Sequence, residues 1–332
     1  MKKDLQSEKE KLIEEVQKLM EERGRKPLEM ARKAILEEKI ESKKVKEALH
    51  YFMTEYWHDL ARPTLMSICC EAVGGDPNAT IPFAVPLSLI SGALDIQDDI
   101  IDQSKTKHGR PTVYGKYGKE IAMLAADALL FKGFALLNEA CLEIPKEKAK
   151  KIVKIVKDLF YELGEAEALE LNLKGRMDVT PEEYLHIIEK KAADVEAHTH
   201  IGAIIGNATE IEKENLSRYG RLLGMIIIIG DDLIDLLDYR ETKNRIKNEC
   251  LPLPVIYALS NQKRNVILRN LISNNFSKTT FKKLKIEIER SKGFESVKQV
   301  TNQLVNEALR YIRHMGRKLE IIMKASTIIN IK

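Results

Sequence analysis

Ala93-Leu94-Asp95-Ile96-Gln97-Asp98-Asp99-Ile100-Ile101-Asp102 has the apolar spacing of a helix and ends in three aspartates. The same DDxxD form returns in Asp231-Asp232-Leu233-Ile234-Asp235, after an apolar run from Met225 to Ile229. Spacing of i, i+1, i+4 sets the first and last carboxylates of each cluster one above the other on one helix face. Their repulsion costs several tenths of a kcal/mol per helical pair. Neither cluster has a basic residue at i+4 to relieve it. A hard cation would do so, because Mg²⁺ takes carboxylate oxygens and shares them with phosphate oxygens. One such cluster alone is most simply a solvated helix face. Two of them, each beside an apolar stretch, belong at the edge of a buried cavity, where an unpaired charge is costly. Two such helices facing each other would form a jaw for metal ions and a diphosphate.

The rest of the chain suits a large helical core. Of its 332 residues, 44% are hydrophobic and 31% charged, the balance of a globular protein. A net charge of +4, dispersed and without arginine-rich tracts, gives no reason to expect nucleic acid. Cys69, Cys70, Cys141 and Cys250 show neither CxxC spacing nor a zinc-finger histidine, so they read as reduced thiols. The charged stretch from Met1 to Arg25 is no signal peptide, and the run at Ile226 to Ile229 is too short to span a bilayer. A cytoplasmic protein without a membrane span is the expectation.

The pattern predicts a first helix ending near Gly24 and a second over Lys43 to Tyr56. Pro63 opens a third, which runs to the turn Gly74-Gly75-Asp76-Pro77. Pro82 to Asp102 carries the first acidic cluster, and a polar loop follows to Pro111. Long helices are predicted at Ile121–Ala140, Lys146–Leu173, Pro181–Ile205 (with Thr180 as N-cap) and Ile211–Asp238. No period-two stretch predicts a sheet. The expected fold is all-α, one domain of long antiparallel helices around a central cavity. Within it, 1–45 would be N-terminal helices, 48–258 a core holding both clusters, and 259–332 C-terminal helices.

Lys107-His108-Gly109-Arg110-Pro111-Thr112 follows the first cluster, and a second complete DDxxD lies far downstream. With these features the chain resembles the all-trans polyprenyl diphosphate synthases. The likeness runs from about Ala48 to Ala258, and further motifs carry it. Leu60-Ala61-Arg62-Pro63 is similar to the end of the family's GGKRxRP stretch, and Glu71 to Asp76 to the turn after it. Gly164-Glu165-Ala166 lies at the glycine–glutamine pair, and Lys190-Lys191-Ala192 at lysine–threonine–alanine.

The resemblance implies a helical, usually dimeric enzyme using three Mg²⁺. Asp98 and Asp102, with Asp99 in the same cluster, would hold two of the ions. Asp231, with Asp232 and Asp235 in its cluster, would hold the third. These metals clamp an allylic prenyl diphosphate while its C–O bond breaks, and an alkene attacks the carbocation in a pocket that excludes water. Lys190 would pair with the allylic diphosphate, Lys107 would replace the first arginine after the motif, and His108 the second. Arg62, Lys191 and Arg245 would be further contacts to substrate. Ala93 and Leu94, one turn before Asp98, would point together down the helix toward the prenyl tail, and their small or aliphatic side chains suit a long chain.

The departures from the pattern fall together. The glycine–glycine–lysine–arginine positions that normally grip isopentenyl diphosphate read Trp57, His58, Asp59 and Leu60, and the partner histidine is Ser91. Asn244-Arg245 stands for a glycine–lysine pair, with Cys250 near a further expected lysine. A charged hydrogen bond contributes about 1.5–3 kcal/mol, so losing several weakens acceptor binding by orders of magnitude. Three functions remain open. They are chain elongation with a rebuilt acceptor site, cyclisation or transfer to an acceptor without a diphosphate, and a non-catalytic subunit of a heteromeric synthase.

Overall fold

The structure, a computed structural model, describes residues 2–107, 109–261, 263–273 and 276–329. Its contacts divide the chain into two compact units. The first comprises Met1–Asp158, Asp194–Ser217 and His314–Ile321, the second Leu159–Ala193, Arg218–Arg313 and Ile322–Lys332.

In the first unit, α1 (Lys2–Leu36) and α2 (Lys43–His50) precede α3 (Ala61–Ala72) and α4 (Ile81–Ile101). A cross-strand pair, β1 (Thr106–Lys107) and β2 (Arg110–Pro111), leads into α5 (Val113–Tyr117) and α6 (Lys119–Leu142). The helix α4 is the spine of this unit, packing most extensively against α6 and also against α1 and α3. It is apolar on all sides, as a core helix must be. The segment Pro77–Ile101 is long and apolar enough to cross a membrane by length and composition, but 72% of its most apolar window is buried inside the chain. Leu89, Ala93 and Ile96 of α4 share one core cluster with Phe52, all four without exposure, each of the larger ones adding about 1.5–3 kcal/mol of burial.

Further along, α7 (Lys146–Leu171) precedes α8 (Pro181–Lys191), α9 (Ala193–Ile205) and α10 (Glu210–Asp235). Next come α11 (Tyr239–Asn248), α12 (Leu253–Leu259), α13 (Asn265–Ser273), α14 (Lys278–Arg290), α15 (Gly293–Tyr311) and α16 (Arg317–Ile329). In the second unit α12, buried at nearly every position, packs on α15.

The all-α class stands, with four local corrections. First, α1 continues past Gly24 to Leu36. A Cβ on Gly24 would sit 2.4 Å from the Leu60 carbonyl oxygen, so this glycine marks a close crossing rather than a helix end. Second, the helix expected over Lys43 to Tyr56 becomes a π-helical turn at Tyr51–Tyr56, a form frequent at functional sites. Third, the Pro181–Ile205 stretch breaks at Ala192 into α8 and α9. Fourth, the polar loop after the first cluster contains a two-residue ladder, Thr106 opposite Pro111 and Lys107 opposite Arg110. It is too short for a period-two signal.

Candidate active site

The first acidic cluster closes α4. Asp98 and Asp102 offer carboxylate oxygens within 4.8 Å of each other. Asp99 turns inward at 2% exposure, and burial pushes its carboxyl up to about 7 although Lys107 opposes the shift. The β1–β2 hairpin folds Lys107 back onto this face. Its Nζ lies 3.0 Å from Asp98 Oδ2 and 2.8 Å from Asp99 Oδ1. Burial would lower the ammonium's pKa, but the two carboxylates outweigh it and keep the lysine charged. The hairpin is tied down where Tyr51 Oη donates to the Pro111 carbonyl at 2.6 Å and Thr112 Oγ1 to Ser104 O at 2.7 Å. The counter-ion that the i+4 spacing lacks is therefore supplied from the hairpin. His108, also expected here, lies outside the described residues.

One turn up, a second set of charges forms around Arg62. Its Nη1 donates to Asp59 Oδ2 at 2.8 Å, its Nε to Asp194 Oδ2, and its Nη2 lies 3.7 Å from Asp95 Oδ1. Asp59 also caps the start of α3, accepting from Ala61 N at 2.8 Å. Trp57 Nε1 donates to Asp95 Oδ2 at 2.7 Å, and Ser91 Oγ to Asp194 Oδ1 at 3.0 Å. His198 Nδ1 stands 3.5 Å from that same oxygen. The Phe52 and Trp57 rings stack at 5.5 Å and lie against Gly92 of α4, where a Cβ would meet Phe52 Cε1 at 2.9 Å. Burial pushes the Asp95 carboxyl up more than Arg62 and Trp57 lower it. For Asp194 burial also acts upward, but Arg62, His198 and Ser91 together hold it below the usual range. One guanidinium thus faces three carboxylates at the place where the sequence predicts a grip on an anion.

Ala93 and Leu94 part company. Ala93 is fully buried in the cluster with Phe52, Trp57 and Ile96, whereas Leu94 packs against the one holding Met66, Ile90 and Leu137. Consecutive helical residues are about 100° apart, so the two cannot share a face. Ala93→Phe should overpack the aromatic cluster and destabilise the protein by about 1–3 kcal/mol, measurable by urea unfolding.

In the second unit the cluster on α10 is divided. Asp231 is exposed and Asp235 partly so, while Asp232 is 2% exposed. Asp232 Oδ1 accepts from Arg245 Nη2 at 2.6 Å and Tyr184 Oη at 3.1 Å, and its Oδ2 accepts from Leu253 N at 2.8 Å. Burial still pushes its carboxyl up to about 6 against the pull of Arg245. Arg245 is turned to protein carboxylates, with Nη1 also 3.0 Å from Glu249 Oε2. Thr180 and Glu183 form the expected capping box at the start of α8. That helix carries Lys190 and Lys191 in its last turn. Lys190 Nζ is 2.7 Å from Glu165 Oε2, and Lys191 Nζ is 2.8 Å from Glu167 Oε1 and 2.5 Å from Glu170 Oε2.

Sequence reading did not single out Asp95, Asp194, Tyr184 or Glu249. Asp95 carries a usable signal, since it lies one turn before Asp98 on the same helix. The others meet their partners only through tertiary pairing.

The Polyprenyl synthetase family model matches residues 42–288. A geranylgeranyl diphosphate synthase of Methanosarcina mazei is 28% identical over 267 residues, 79% of this chain and 79% of that protein. A short chain isoprenyl diphosphate synthase of Methanocaldococcus jannaschii is 31% identical over 249 residues, covering 70% of this chain and 73% of that one. Among solved structures, a geranylgeranyl pyrophosphate synthetase from Pyrococcus horikoshii superimposes with a TM-score of 0.83 at 25% identity, over 96% of this chain and 99% of that one. Fold, acidic motifs and relatives define a prenyltransferase of the prenyl diphosphate synthase kind. The chain belongs to the polyprenyl synthetase family.

That family uses Mg²⁺ held by acidic residues, and the donor set here fits it. Asp98 and Asp102 present hard carboxylate oxygens within 4.8 Å of each other, the donor type that Mg²⁺ takes.

Proposed function

We propose that this enzyme ionises an allylic prenyl diphosphate and joins the prenyl group to isopentenyl diphosphate, extending a polyprenyl diphosphate chain. The observation that carries the reading is the first motif, where paired carboxylates and an adjacent lysine meet at the end of an apolar helix. In this reading Asp98 and Asp102 hold two Mg²⁺, and Asp231 with Asp235 holds a third. When bound, Mg²⁺ would neutralise the leaving diphosphate. Lys107 and Lys190 would exchange their present carboxylate partners for diphosphate oxygens. Leu94 is the residue of its pair that stays partly exposed, and it would border the prenyl tail. Leu94→Phe should then shorten the product, as chromatography of the released alcohols would show. An unchanged product length would place the tail elsewhere. The enzyme would work in the cytoplasm.

A second reading is favoured by one observation, the saturation of Arg62 by Asp59, Asp95 and Asp194. An anionic acceptor would meet a guanidinium already opposed by three carboxylates, which suits cyclisation or an acceptor without a diphosphate. Assay with geranyl, farnesyl and geranylgeranyl diphosphates, with and without isopentenyl diphosphate, separates the two. Elongation requires product mass to grow by whole C5 units only when isopentenyl diphosphate is present. Diphosphate release and a hydrocarbon or alcohol product without it would establish the second reading.

We also propose a homodimer through α6, which leaves Met123, Leu124, Phe131 and Leu142 exposed, Phe131 at 73%. Large apolar residues gathered on one helix mark an interaction surface. Phe131→Glu should convert dimer to monomer in light scattering after size exclusion. A monomeric wild type would end this proposal.

A further inference from the structure

Arg245 aligns with a residue expected to contact substrate, yet its guanidinium faces inward. Nη2 is shared by Asp232 Oδ1 at 2.6 Å and Tyr184 Oη at 2.7 Å, and Nη1 binds Glu249 Oε2 at 3.0 Å. Glu249 is itself 8% exposed, its Oε1 accepting from Asn244 Nδ2 at 2.5 Å. The remaining donor, Nε, is buried and has no hydrogen-bond partner among the described residues. It lies 3.9 Å from Asp235 Oδ2, just beyond bonding distance. Asp235 is also steadied through its backbone carbonyl, which accepts from Thr242 Oγ1 at 2.8 Å.

A buried guanidinium N–H left without an acceptor is costly, so its survival calls for a partner. Metal-bound carboxylates are commonly held by a second donor that fixes which oxygen faces the ion. The geometry therefore points to Arg245 as a positioning residue rather than a diphosphate contact. We propose that its Nε–H takes one oxygen of Asp235 when the other engages a divalent cation. In the same hub Asp232 is the fixed anchor, joining α10 to Tyr184 of α8 and to the start of α12 through Leu253 N. The three aspartates of the second motif would then have separate tasks, with Asp231 and Asp235 facing the ion and Asp232 holding their helix in register. Tyr184 Oη keeps Arg245 and Asp232 together by hydrogen-bonding to both.

This inference rests on the reading that the second motif binds a divalent cation, and the experiment tests the two separately. Mn²⁺ binding is measured by electron paramagnetic resonance on the intact protein with inorganic diphosphate present, for wild type, Asp231→Ala and Arg245→Lys. Arg245→Lys keeps the charge but loses the Nε donor and the planar fork. Mn²⁺ affinity should fall about 10- to 100-fold in Arg245→Lys. Its KM for allylic diphosphate at saturating Mg²⁺ should stay within about twofold of wild type, because Arg245 would not touch that substrate. If KM instead rises more than about tenfold while Mn²⁺ binding is unchanged, Arg245 grips the diphosphate and the proposal fails. If neither changes, the residue serves only the fold, and the proposal fails again. If Asp231→Ala binds Mn²⁺ as well as wild type, the metal reading of the second motif is lost, whatever Arg245 does. Should Arg245→Lys not fold, Arg245→Gln, which removes the same Nε donor and leaves Asp232 in place, is measured in the same way.

Discussion

Asp98→Ala should reduce diphosphate release by about a thousandfold while leaving the helical circular dichroism spectrum unchanged. Removing one preorganised group that stabilises developing charge commonly costs 10²–10³ in rate, and a metal ligand belongs at the upper end of about that range. The fold should tolerate the change because Asp98 is partly exposed, and Lys107 keeps Asp99 at 2.8 Å. Deleting one of three neighbouring carboxylates also lessens their repulsion. Single-turnover release of labelled diphosphate at several Mg²⁺ concentrations would check it. Near-normal, Mg²⁺-dependent release would remove Asp98 from the metal site.

Arg62→Met should have the largest effect on stability. The substitution keeps much of the packing volume but leaves Asp59, Asp95 and Asp194 without their cation. Breaking a buried ion pair from one side typically costs about 3–5 kcal/mol. The pH dependence gives a second signature. In the wild type Asp194 has a depressed carboxyl, so its contribution is complete above the unfolded pKa of about 3.9 and is lost as pH falls through the folded value. Without Arg62, the folded pKa of Asp194 rises with burial above the unfolded one, and that of Asp95, already raised in the wild type, rises further. Protonation then favours the folded state, so the variant should recover part of its loss as pH falls from 7 toward 4. Urea unfolding of both proteins across that range would measure the gap, and a gap independent of pH would mean that these carboxylates do not depend on Arg62.

Much of the helical fold can be read from the residues alone. The Pro181 start with its Thr180 cap and the apolar run before Asp98 both give helices where their patterns place them. Gly24 misleads because a glycine at a helix end and a glycine under a crossing chain look alike in one sequence. Both acidic motifs are equally plain, since their spacing is local. The surroundings of Arg62 and Arg245 are not. Arg62 meets Asp194 across 132 positions, and Arg245 meets Tyr184 across 61. Resemblance assigns both arginines to substrate, and only the folded chain shows the carboxylates now beside them.

The Arg62 network also constrains how this protein could change over generations. Asp59, Asp95 and Asp194 arrive at one guanidinium from three separate segments, so the effect of exchanging any one depends on the other three members. Exchanging Asp59 alone for lysine would set a second cation beside Arg62 and take away a helix cap, a loss before any gain in anion binding. An open anion grip at this place would need several coordinated substitutions. The network thus ties the four positions together, so a single exchange at any of them is expected to cost stability before it alters what binds.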